Sequence, residues 1–268
     1  MPERAVPATS SAGNELRLSV IKLGGSVLTG PAAYRRAAAF IADRLCDRPG
    51  ERLVVVVSAE AGMTDTLLST ARDIAPEPDP ATLDLLWSTG ELRSVALLVL
   101  SLHAAGVSAT AANVHQTGLS ELEDRGPAGG ITLRALRLRA LLATHDVVVV
   151  PGFLAQGAGD AVVSLGRGGS DLTAILLSAG LDADRCELVK DVPGYFSADP
   201  NSDPHAVHLP AIDYTQALQM ADAGCELVQR HALEAARDRQ VTVIVRGFGT
   251  ETRTILTAQL PNPATLST

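Results

Sequence analysis

Short, unbroken apolar runs alternate with longer amphipathic stretches along most of this chain. Leu16–Lys22, Leu53–Val57, Ser108–Ala112, Asp146–Val150, Cys186–Lys190 and Val241–Arg246 read as strands. Most are rich in Val, Ile or Leu, as in a parallel sheet buried on both faces. Between them lie helical patterns. Pro31–Cys46 is Ala-rich and starts on Pro. Asp65–Ile74 follows, then a Pro-rich break at Ala75–Pro80 and a long helix over Ala81–Ala105. Ile131–Thr144 reads as an amphipathic Leu/Arg helix with its arginines on a solvated face. A helix opens near Ser170 and runs to about Ala179, Asp213–Ala223 stops at Gly224, and Gln229–Gln240 is helical. Leu154–Leu165 predicts a hairpin around Gly157–Asp160, Thr250–Ala258 an edge hairpin, and Gln116–Gly130 a loop. Strands alternating with helices predict βαβ units and a mainly parallel α/β sheet.

Composition narrows this picture. Hydrophobic residues make up 46% of the 268 and charged residues 19%, so a sizeable core is available. Aromatics are only 3%, which suits a helix-covered sheet better than a sandwich. A formal charge of −8 argues against a dedicated nucleic-acid binder. Cys46, Cys186 and Cys225 are far apart with no C-x-x-C, as expected of free thiols in a reducing compartment. Residues 1–14 read as a flexible leader without a signal-peptide core, and 259–268 as a tail. The apolar run Val95–Leu102 is short for a membrane span. These features predict a cytoplasmic protein that engages neither membrane nor nucleic acid.

Candidate chemistry gathers at the ends of the strands. Leu165–Ala174 reads Leu-Gly-Arg-Gly-Gly-Ser-Asp-Leu-Thr-Ala and joins a strand to a helix. Its glycines admit a ligand close to the backbone, and a helix N-terminus attracts anions. Ser170 is placed to cap the helix, and Arg167 offers a two-pronged site for a carboxylate or phosphate. Asp171 among these donors points to a cation, an amine or a reacting proton. A Gly-rich turn with a surface Arg–Asp pair explains the same residues without any ligand. Lys22-Leu23-Gly24-Gly25-Ser26 reads as a phosphate-holding loop after a strand, or as a tight turn with a solvated Lys. Ser58 and Thr64 could hold a substrate at the end of the second strand, or serve only as caps. Gly90 inside a helix implies a close approach, and Glu91 beside it could meet a ligand amine or be a surface acid. Asp191–Asn201, with two aromatics and two acids, could hold a nucleotide base and ribose or form a surface loop.

In the order Lys22–Ser26, Ser58–Thr64, Thr89–Glu91, Gly152-Phe153, Gly166–Asp171 and Asp191–Pro200, the chain resembles the catalytic domain of aspartate kinases, in the amino acid kinase family. The resemblance spans about Val20 to Arg246. It implies a three-layer αβα sandwich, with an amino-acid-binding part to about residue 165 and a nucleotide-binding part after it. It implies transfer of the γ-phosphoryl of ATP, with Mg²⁺, to the side-chain carboxylate of L-aspartate. Arg167 would take the α-carboxylate and Glu91 the α-amino group, with Ser58, Thr64 and Ser170 positioning the substrate. Lys22 and Asp171 would be catalytic. Lys22, Gly24, Gly25, Ser26, Lys190, Asp191, Phe196 and Asp199 would hold the nucleotide. No residue is implied as a dedicated metal ligand, and a homodimer is expected.

The nucleotide half departs from the family pattern. Lys190 stands where Thr is usual, Tyr195-Phe196 shifts the aromatic hydroxyl, and Asn201 replaces Arg. Glu226 occupies the place of a phosphate-binding Lys, with Lys190 or Arg230 as substitute cations. With only 22 residues after Arg246 in this sequence, no regulatory ACT domain is expected. Two other readings therefore stand beside aspartate phosphorylation. One is a kinase for another amino acid or acidic metabolite in a specialised pathway. The other is a non-catalytic, amino-acid-binding regulatory homologue.

Overall fold

Valine-rich runs become strands because β-branched side chains fill a pleated surface covered from both sides. The computed structural model describes residues 17–122, 130–200 and 202–258. Eight strands form one sheet: β1 (Leu18–Leu23), β2 (Arg52–Val57), β3 (Ala109–Ala111), β6 (Val147–Pro151), β9 (Arg185–Lys190), β10 (Ala211–Asp213), β11 (Val243–Gly247) and β12 (Arg253–Thr257). Their order is β10-β12-β11-β9-β1-β2-β6-β3, parallel except between β11 and β12. A smaller sheet holds β5 (Ile131–Leu133), β4 (Leu119–Glu121), β7 (Leu154–Gln156) and β8 (Val162–Ser164), in that order.

Alternation along the strands builds two cores. Ile21, Leu23, Val55, Val57 and Val149 face α1 (Pro31–Asp47) and α3 (Pro80–Ala104), where they meet Tyr34, Ile41, Leu98 and Leu102. Val20, Val54, Val56, Val148, Leu188 and Val245 face the opposite way. They pack with α5 (Leu136–Leu142), α6 (Gly169–Leu181), α7 (Tyr214–Asp222) and α8 (Arg230–Asp238). The expected three-layer αβα sandwich is the observed architecture. By length and composition α3 could cross a membrane, more than Val95–Leu102 alone suggested. Here Val95, Leu98, Val99 and Leu102 are buried in the first core, so it is a core helix of the sandwich.

From β1 the chain moves to β2 on one side of the sheet and later returns to β9 on the other. The β1/β9 boundary is thus a topological switch point, where open α/β sheets leave a crevice at the strands' carboxyl ends.

Several local expectations change. Ile131–Thr144 is not one helix: Ile131–Leu133 pairs with β4 in the small sheet, and only Leu136–Leu142 is helical. The Leu/Arg pattern reads as helical throughout, and a three-residue strand is too short to interrupt it visibly. The described part of Gln116–Gly130 includes the end of the short α4 (Val114–Thr117) and β4. The 154–165 hairpin forms as expected. The strand at 253–257 is not an edge, because β10 adds outside it. The leader, the tail, part of the Gln116–Gly130 loop and Asn201 lie outside the described residues.

Candidate active site

Strand periodicity sets the floor of the crevice. Lys22 on β1 lies opposite Leu188 on β9, so Lys190, two residues further on, projects from the same face as Lys22. That face is covered by the first turn of α6, which carries Asp171. Lys22 Nζ sits 3.0 Å from one oxygen of Asp171, and Lys190 Nζ donates a 2.6 Å hydrogen bond to the other. Lys22 is 7% exposed and Asp171 3%, which excludes the solvated lysine of the simple-turn reading. Burial alone would push the Asp171 carboxyl up, but the charges of Lys22 and then Lys190 outweigh it and hold it below the usual carboxylate range. Lys190 moves down as well. Burial and the neighbouring Lys22 charge lower it, against the pull of Asp171.

Loops converge above this floor through close backbone packing. A Cβ on Gly25 would run into the Ala59 carbonyl oxygen, so the turn after β1 can lie on the loop after β2 only with glycine there. The Ser58 N–H donates to the Leu23 carbonyl, and the Ala61 N–H to that of Gly25. Gly152, just after β6, has the same role, since a Cβ there would stand 2.6 Å from Ser170. Phe153 follows with φ of 67°, a strained conformation for a non-glycine residue, and rests edge-on against Trp87 of α3.

Glu91 is not a surface acid. It is 3% exposed, and its Oε2 has no hydrogen-bond partner among the described residues. Burial pushes its carboxyl up to about 8, against the Ala59 backbone N–H and the Lys22 charge. The close approach expected at Gly90 is with the protein itself: Ala59, Met63 and Leu67 press on it.

Three readings of individual residues are corrected. Ser170 does not cap α6. Gly168, in a left-handed conformation, holds the N-cap position, and Ser170 lies inside the first turn. Nor is Thr64 a cap, since α2 (Met63–Ile74) starts from left-handed Gly62. Glycine's freedom at positive φ took the place expected of a hydroxyl in both helices. Arg167 and Asp171 do not pair. Asp171 is held by the lysines, while Arg167 is exposed in the Gly166–Gly168 turn without an ion pair among the described residues.

A cavity of about 800 Å³ opens over the β1/β9 switch point. It gathers all eight residues expected at the nucleotide: Lys22, Gly24, Gly25, Ser26, Lys190, Asp191, Phe196 and Asp199. Phe196 packs edge-on against His208, whereas Tyr195 is 2% exposed and belongs to the core. The opposite wall, Met220 and Ala223–Leu227, was missed at the sequence level apart from Glu226. Its signals in the sequence were the α7 stop at Gly224 and the departure from the family pattern that follows it at Glu226. Arg230 is no substitute cation, since its exposed side chain pairs with Asp222 and Glu234. Among the described residues, no group of three or more His, Cys, Asp or Glu could hold a metal ion.

An anion-ready crevice at a sheet's switch point, floored by lysine and roofed by glycine turns, defines an α/β domain suited to phosphate-bearing ligands. The amino acid kinase family model matches residues 17–247, and the chain belongs to that family. It is 38% identical over 233 residues to the aspartokinase of Mycolicibacterium smegmatis, covering 86% of this chain and 55% of that protein. To that of Geobacillus stearothermophilus it is 36% identical, covering 77% and 51%. The chain thus spans about half the length of these curated relatives. Among solved structures, aspartate kinase from Synechocystis superposes with a TM-score of 0.80 at 33% identity, over 91% of this chain and 40% of that one. Aspartokinase III of E. coli, in complex with aspartate and ADP, superposes at 0.75 with 25% identity, over 92% and 66%.

Proposed function

We propose that this chain catalyses phosphoryl transfer from ATP to the side-chain carboxylate of L-aspartate, forming 4-phospho-L-aspartate. The observation that carries the reading is the buried Lys22–Asp171–Lys190 cluster beneath a cavity of nucleotide size at the sheet's switch point. Similarity to aspartokinases over most of the chain supports the acceptor.

In this reading the glycine turn and the lysines receive the phosphates, and Phe196 flanks the base. Arg167, exposed and unpaired among the described residues, takes the α-carboxylate in a bidentate contact. Glu91 takes the α-ammonium on its unpartnered oxygen, and Ser58, Thr64 and Ser170 flank the substrate. The acceptor carboxylate is already ionised at neutral pH, so the step needs positioning and charge stabilisation rather than a general base. Mg²⁺ in such sites is held largely by substrate phosphates and one or two carboxylates. The residues here fit that mode, with Asp191 and Asp199 at the cavity and no protein-only cage among the described residues. The ion would arrive with the nucleotide and neutralise phosphate charge. The reading includes a homodimer in the cytoplasm. Exposed Leu85 and Leu100 on α3, 59% and 65% accessible, offer apolar surface for the former.

An ADP-release assay across a panel of amino acids tests the acceptor. Release with aspartate is expected. Release only with another acceptor would move the substrate, and aspartate binding without turnover would favour a regulatory homologue.

Glu91 supplies a sharper check. With its carboxyl at about 8, it is mostly protonated in the free enzyme at pH 7 and must ionise to face an ammonium. The KM for aspartate should therefore fall as pH rises from 6 to 8. In Glu91→Gln this dependence should vanish, and KM should rise roughly 10- to 100-fold, as for loss of a charged hydrogen bond. An unchanged KM profile in the variant would remove Glu91 from the substrate site.

A further inference from the structure

Two cations line the described wall of the nucleotide cavity, Lys22 and Lys190, against three acids, Asp191, Asp199 and Glu226. Both cations are fastened to a single carboxylate. One ammonium suffices to neutralise Asp171, so the second is left with only the charge of the adjacent Asp191 as a further counterweight. Such a weakly matched charge is unfavourable where water is excluded, unless an anion arrives to meet it. Lys190 registers this directly, being lowered by burial and by Lys22 in spite of its contact with Asp171. The position is also rigid. Lys190 ends a core strand in register with β1, and its Nζ is held at 2.6 Å. The far wall contributes Glu226 and, among the described residues, no cation.

We propose that Lys190 is a catalytic residue of the transfer, meeting the phosphoryl group in flight together with Lys22 while Asp171 fixes the spacing of the two ammonium groups. The proposal rests on the kinase reading above and assigns the second catalytic charge to the end of β9. In the step, a carboxylate oxygen of aspartate forms a bond to the γ-phosphorus. The bond from that phosphorus to the β,γ-bridging oxygen breaks, and its electron pair leaves on ADP. No proton is transferred. Negative charge shifts toward the departing β-phosphate, and fixed cations that need no reorganisation stabilise that shift most.

The test compares the full chain with Lys190→Met and Lys190→Arg, using MgATP and aspartate. Calorimetry then measures affinity for MgADP with and without aluminium fluoride, which mimics the phosphoryl in flight. Lys190→Met should lower kcat roughly 100- to 1000-fold, the usual effect of deleting one preorganised charge-stabilising group. The KM for aspartate should stay within a few-fold of wild type. The variant should bind MgADP nearly as well as wild type and lose most of the extra affinity conferred by aluminium fluoride. Lys190→Arg should recover part of both. A Met variant with kcat near that of wild type would overturn the proposal. So would equal losses of affinity with and without aluminium fluoride, the mark of simple nucleotide binding. If the Met variant does not fold, Lys190→Gln is judged by the same two outcomes. A wild-type chain that releases no ADP with any acceptor would overturn the kinase reading along with this one. An active wild type beside an equally active Lys190→Met would overturn this one alone.

Discussion

Asp171→Asn should nearly abolish turnover, lowering kcat by about three orders of magnitude, while the chain still folds and binds MgADP. The substitution is close to isosteric but removes the charge that separates Lys22 from Lys190. Two ammonium groups then face each other without the carboxylate that joins them, and only the charge of Asp191 still favours a charged Lys190. The simplest relief is loss of a proton from one of them. Lys190 already sits below the ordinary lysine value through burial and its lysine neighbour, with Asp171 pulling the other way. Removing that pull lowers it further. Residual activity, which needs Lys190 charged, should therefore fall away at a lower pH than in wild type as pH rises. A pH–rate profile read beside a thermal melt checks this. A variant with wild-type kcat, or with its alkaline limb unmoved, would remove Asp171 from the catalytic role.

Much of this architecture was legible because it is written locally. Valine-rich runs need no context: Leu53–Val57, Asp146–Val150 and Cys186–Lys190 lie within a residue or two of the observed strands. The Lys-Leu-Gly-Gly-Ser turn stood out at the end of a strand, and the cavity joins it to the 191–199 loop. What escaped was set by partners distant in sequence. Ala211–Asp213 becomes a strand only because β12 offers it an edge. Lys190 stood out as an unusual residue, but its neighbour Asp171 follows from the β1–β9 register and the position of α6. Glu91 was visible as an acid beside a helical glycine. That it is buried with an unpartnered oxygen depends on α3 packing over Ala59.

The same limit hid the buried charged cluster beneath α1, and its removal is the second change expected to have a severe effect. Arg44 of α1 makes a two-pronged contact with Glu51, at 2.8 Å from both Nε and Nη2, and reaches Glu187 of β9 at 2.7 Å. The Ser19 hydroxyl donates to Glu51 at 2.6 Å, and Arg246 lies 3.8 Å from Glu187. Arg44, Glu51, Glu187 and Ser19 are all buried. Arg44→Met leaves two carboxylates inside the fold with only weaker contacts, a change that costs about 3–5 kcal/mol in comparable buried pairs. Urea denaturation at pH 7 should show that loss. Adding Glu51→Gln and Glu187→Gln should recover a good part of it, since the uncompensated charges are gone. The pH dependence has a definite sign. In wild type, burial would raise the Glu51 carboxyl, but Arg44 and Ser19 outweigh it and hold it below its ordinary 4.5. That contribution is present above the unfolded-state value and disappears as pH falls through the folded one. Without Arg44, the main counterweight to burial is gone and the Glu51 carboxyl is pushed up relative to wild type, so the variant is relieved by protonation as pH drops. The stability gap between wild type and Arg44→Met should thus be widest near neutrality and narrow steadily toward about pH 4.5. A gap of constant size across that range would mean that Arg44 stabilises the fold through packing rather than charge.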